Sequence, residues 1–189
     1  MKTKQNIERL MFIAILVALT VVLSYVDRQI SIGIQHLGAR LGLANIVILV
    51  GIYYLSVKES FLLVTLKAIL SGLLLGNYMA FFIGLSGSYF SYFTMLLLLR
   101  FGHDKFSYIG ISLAGSIMHN IGQILVLILA YSAGIMGALI WLIPLGVATG
   151  MVVGTIFTAL KRYLDKGEVF KTITCKTQEP SQRLQDLLK

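Results

Sequence analysis

Charge is scarce in this chain of 189 residues: 13% are Asp, Glu, Lys or Arg, whereas 57% are apolar and the mean hydropathy is +0.86. Those proportions leave too little polar surface to coat a water-soluble fold, so lipid must be the solvent for most of the chain. Cysteine is scarcer still. Cys175 is the one thiol, which excludes disulfide stapling and leaves helix packing to hold the fold. The acids are Glu8, Asp27, Glu59, Asp104, Asp165, Glu168, Glu179 and Asp186, all outside the apolar runs. On that placement, carboxylate-based proton or sodium coupling has no residue to use. The chain lacks a Gly-x-x-x-x-Gly-Lys-Ser/Thr loop for ATP phosphates and lacks paired acid clusters to hold magnesium against a diphosphate. With one histidine and no cysteine inside the apolar runs, neither a metal nor any other cofactor of its own is expected, and enzymatic activity is not expected either.

What is present is a set of long stretches free of Asp, Glu, Lys and Arg: Leu10–Val26, Leu41–Val57, Ser60–Leu99 interrupted only by Lys67, and Phe106–Leu160. Since a crossing helix needs roughly 20 residues, they hold one, one, two and two spans. Gly76-Asn77 divides the third stretch, and Ser132-Ala133-Gly134 with Gly137 divides the fourth. The expected architecture is an all-α integral membrane protein. Its domain covers 1–161, with six transmembrane helices near 9–26, 41–57, 59–76, 79–100, 107–132 and 138–161, and a polar tail follows at 162–189. Strict apolar/polar alternation is absent, which argues against a β-barrel. No small-x-small cleavage site follows the first run, so it reads as a retained span rather than a signal peptide.

Orientation follows from the basic residues. With the amino terminus inside, Lys2, Lys4, Arg9, Lys58, Arg100, Lys105 and the basic tail face the cytoplasm, while Arg28 and Arg40 face outward. That asymmetry is the positive-inside pattern, and it puts both termini on the cytoplasmic side. The net charge of +8 thus sits at helix ends rather than in a patch interleaved with aromatics, and no nucleic-acid partner is expected.

Several polar residues fall where a bilayer disfavours them. Lys67 lies near mid-span, where a lysine costs on the order of 3 kcal/mol unless it snorkels or faces protein or water. Ser112, Ser116, His119, Asn120 and Gln123 form one stripe on the fifth span at helical spacing. Such a stripe is either glue between helices or, together with Lys67, the wall of a substrate-facing cavity. Asn45, Ser86, Ser88 and the outer-loop residues Asp27, Arg28 and Arg40 are further candidates. Tyr25, Tyr78 and Trp141 stand at span ends as interfacial anchors. Gly146, Gly150 and Gly154, like Ala68, Gly72 and Gly76, recur every fourth residue and suit close helix approach. Ala14-x-x-x-Ala18 is a shorter pattern of the same kind. A small membrane protein with a polar cavity and no motor of its own is easiest to understand as a binding subunit that borrows energy from a partner.

Leu41-Gly-Leu-Ala-Asn-Ile46, the third span with its lysine, Gly84-Leu-Ser-Gly-Ser88 and His119-Asn-Ile-Gly-Gln123 together resemble a bacterial family. That family is labelled heptaprenyl diphosphate synthase component I and is also called Gx transporters. The likeness runs over about residues 8–161, and it is most specific at the His-Asn-x-Gly-Gln element. The family is similar to the S components of energy-coupling factor transporters, six-helix subunits that capture vitamins or their precursors. The resemblance implies an S-component-like bundle in the bacterial plasma membrane. Its partners would be a transmembrane coupling subunit, docked at Ala14 and Ala18, and ABC-type ATPases that hydrolyse ATP. A vitamin, a flavin or a related small molecule would meet Lys67, Asn45, His119, Asn120, Gln123, Ser86, Ser88 and Arg40. The alternative is a non-catalytic membrane subunit that supports isoprenoid or quinone synthesis, or a membrane redox complex. An importer calls for a cavity capped by loops, a lipid-holding subunit for a lateral opening, and a scaffold for a polar stripe consumed by bonds between helices.

Overall fold

The computed structural model describes residues 2–30, 42–75, 78–101, 106–131 and 139–164. These form six helices: α1 Lys2–Ile30, α2 Asn45–Tyr54, α3 Val57–Leu75, α4 Tyr78–Phe101, α5 Tyr108–Tyr131 and α6 Leu139–Leu164. Four of them contain segments long and apolar enough to cross a membrane, namely Arg9–Asp27, Tyr78–Phe101, Tyr108–Ala130 and Leu142–Leu164. Their outer faces carry bare apolar side chains, with Leu129 86% and Leu10 69% exposed. Water would penalise such a surface and lipid does not, so the architecture is that of an all-α, multi-span membrane bundle. α3 has 19 residues but carries Lys58, Glu59 and Lys67. The expected turns at Gly76-Asn77 and 132–137 and the tail beyond Leu164 lie outside the described residues.

α2 departs from the expected span at 41–57. It has ten residues, a length of about 15 Å and half a hydrocarbon core. Its apolar character has a different cause: eight of its residues are buried inside protein, so it is the axis of the bundle's core rather than a lipid-facing span. Its position along the bundle follows from its ends. At one end, the extended Leu55 turns the chain directly into α3 at Val57. At the other, Asn45 contacts Lys67, halfway along α3. α2 therefore begins at mid-bundle and runs back to the start of α3.

The end where α2 meets α3 is stitched tightly. Ser56 and Glu59 cap α3 reciprocally: the Ser56 N–H and hydroxyl donate to Glu59 Oε2 at 2.9 and 2.7 Å. Arg9 of α1 approaches the same carboxylate at 3.5 Å. Tyr53, Tyr108 and Phe157 pack edge to face, and Lys161 Nζ lies 5.0 Å from the Tyr53 ring. The small-residue stripes set the remaining contacts. A side chain at Gly150 or Gly154 would come within 2.7 Å of Leu113 Cα or 2.6 Å of Ile109 Cα on α5, and one at Gly72 would strike Phe81 on α4. α1 is attached more lightly. It packs on α3 and α2 through one stripe, Phe12, Leu16, Thr20, Ser24 and Asp27, which changes from apolar to polar along its length.

Candidate functional site

At the start of α2 the bundle encloses a small polar cavity. Ser24 and Asp27 of α1, Gly42 and Ala44 before α2, Lys67 of α3, Gly84 and Ser88 of α4, and His119 of α5 line it. Its volume is about 10 Å³, room for one water. Lys67 is 5% exposed and donates from Nζ to Asn45 Oδ1 at 3.0 Å. Asp27 is 2% exposed and accepts the Gly42 N–H at 3.0 Å. Ser24 and Ser71 share a hydrogen bond of 2.8 Å that ties α1 to α3 beside this point. A cation and a carboxylate thus meet one space in a low-dielectric interior, where each lowers the desolvation cost of the other.

Glycines create the room for His119. Gly42 has φ +90, a backbone state that favours glycine, and a Cβ there would sit 3.2 Å from the imidazole Cδ2. A Cβ on Gly87 would come within 2.9 Å of the ring and of the His119 carbonyl. The ring is therefore wedged between the α2 entry and α4, and its orientation is fixed by backbone rather than by mobile side chains.

The residues singled out in the sequence separate into groups. Lys67, Asn45, Ser88 and His119 come together at the cavity. Asn120 faces the other way and donates from Nδ2 to the Leu142 carbonyl of α6, in the turn that carries Pro144. Ser112, Ser116 and Gln123 are fully buried but do not line the cavity. Ser86 donates to the Gly122 carbonyl at 2.8 Å and joins α4 to α5. Arg40 lies outside the described residues. Ala14 and Ala18 are exposed on the outward face of α1, flanked by Met11, Ile15, Leu19 and Val22.

Asp27 is a correction. The sequence reading ended the first span at Val26 and assigned this carboxylate to an outer loop. The helix instead runs to Ile30 and buries Asp27 against the cavity. The available signal was the spacing of Thr20, Ser24 and Asp27, which continues the buried stripe of Phe12 and Leu16. Gly42, which supplies the N–H that Asp27 accepts, was part of the Leu41-Gly-Leu-Ala-Asn-Ile46 element but was not singled out as a site residue.

A family model described as heptaprenyl diphosphate synthase component I matches residues 16–160. That range contains every cavity-lining residue and all of α2 to α5. No curated protein and no solved structure matches the chain.

Proposed function

The chain belongs to the heptaprenyl diphosphate synthase component I family, and from that premise we propose that it is a non-catalytic membrane subunit holding a ligand in its core for a partner. The observation that carries the reading is the Lys67–Asn45 pair facing Asp27 and His119 in the cavity at the start of α2. These groups recognise charge and donate or accept hydrogen bonds, and none of them is arranged as a nucleophile with its base. The family's description names a component of a heptaprenyl diphosphate synthase, which supports an enzyme of isoprenoid assembly as the partner. Since the cavity admits only a water as it stands, holding a ligand requires the walls to part. The light attachment of α1 makes it the wall that moves.

A second reading is favoured by one observation. Ala14 and Ala18 lie exposed on α1 among large apolar side chains. That face suits close approach of another membrane helix and supports a substrate-capture subunit docked on a transmembrane coupling subunit with ABC-type ATPases. One experiment separates the two: affinity purification in mild detergent, followed by mass spectrometry of copurifying proteins and small molecules. A prenyl-synthesis enzyme with bound isoprenoid is the expected recovery. A coupling subunit, ATPases and a water-soluble vitamin or flavin would replace the first reading with the second.

A further inference from the structure

The start of α2 is unusual for a helix end buried in a membrane bundle. Ala44 occupies the capping position without a side-chain cap, and the N–H groups of Asn45, Ile46 and Val47 are taken instead by the carbonyls of Gly42, Leu43 and Ala44, so the donors that face the cavity come from the residues around the helix start. Asn45 is fully buried, and its Nδ2 has no hydrogen-bond partner. That amide lies against Gly42, a wall residue of the cavity, and Lys67 brings its ammonium to the same space. The site is therefore rich in donors. The group seated among them is a carboxylate from the far end of α1, the Asp27 side chain on the Gly42 N–H.

Adding a second anion beside Asp27 would place two negative charges against one lysine in a buried site, which is strongly disfavoured. The cavity also lacks the volume for it. Exchange meets neither obstacle. If Asp27 withdraws, the Gly42 N–H and the Lys67 ammonium still face the cavity, with the unpaired Asn45 amide against Gly42, and an incoming acidic group accepts the Gly42 N–H in place of Asp27. We propose that this cavity is an anion subsite filled by the protein's own Asp27, and that the ligand carries a carboxylate or phosphate that displaces it. The proposal rests on the ligand-holding reading above and gives the ligand its chemical class.

The test is chemical rescue in the purified full-length protein, read by thermal unfolding in detergent. Asp27→Gly removes the tethered carboxylate, and its melting temperature falls below that of the unaltered chain. Sodium formate or acetate restores at least half of that loss, while sodium chloride at equal ionic strength does not. Recovery with inorganic phosphate but not with formate or acetate assigns the subsite to phosphate, and the reverse assigns it to carboxylate. Asp27→Gly combined with Lys67→Met responds to none of them. If Asp27→Gly cannot be extracted folded, the same anions present during extraction recover it. Absence of anion-dependent recovery in either format overturns the proposal. Rescue without copurifying partners retires the subunit reading and leaves the subsite standing, whereas partners without rescue retire the subsite alone.

Discussion

His119 and Lys67 are polar groups at similar depth, held by different means. The imidazole is positioned by two glycines whose missing side chains are its space. Gly87→Ala therefore forces either the ring or the α4–α5 contact to move. We expect a destabilisation of about 1–3 kcal/mol, visible as a lower melting temperature in detergent; an unchanged value would mean that the ring has room to shift. Lys67 donates to Asn45 and shares the cavity with the Asp27 carboxylate. Lys67→Ala should weaken binding of whichever small molecule copurifies by about tenfold or more, a loss of roughly 1.4 kcal/mol. An unaltered dissociation constant in a folded variant would remove Lys67 from the site. Lys67 was legible in the sequence because a lysine in an apolar run is anomalous on sight. Asp27 was not, because a charge at the edge of such a run looks the same whether it ends the helix or continues it into a protein interior.

At the scale of elements, glycine spacing proved the more direct guide to packing. Gly150 and Gly154 are where α6 touches the α5 backbone, so Gly150→Leu should lower the melting temperature sharply and promote aggregation on size-exclusion chromatography. Gly110 is the control: a Cβ there meets only Ser107 Oγ at an ordinary 3.5 Å, and Gly110→Ala should be neutral or stabilising by about 0.5–1 kcal/mol. Among the described residues, Tyr78–Phe101, Tyr108–Tyr131 and Leu139–Leu164 are helical where the sequence leads one to expect helices, because each is a long apolar stretch. The polar stripe of α5 was only half legible. Its members share a face by spacing, yet adjacent residues differ by about 100° around a helix. That angle turns His119 toward α4 and the cavity while Asn120 turns to α6. A face wide enough to meet two neighbours cannot be assigned to one of them without the fold.

For the whole molecule, the outward face of α1 is the surface where folding and assembly can be separated. Ala14 and Ala18 are exposed there, so replacing both with Leu should leave the melting temperature within about 1 °C of the original, as surface substitutions commonly do. If the coupling-subunit reading holds, the same variant loses the copurifying partner; retention of a partner would move the docking surface elsewhere. The brevity of α2 has a further consequence, for biogenesis. The apolar stretch around it, Leu41–Val57, is at the lower limit of about 17 residues for a crossing segment, and α3 behind it carries three charges. We therefore expect the two to enter the bilayer as a hairpin that becomes stable once later helices enclose it. A chain truncated after Leu75 and fused to a topology reporter should give mixed orientations, while a fusion after Leu164 gives one. On that expectation, the shortest of the described helices makes the protein's topology a late, collective decision of the whole chain.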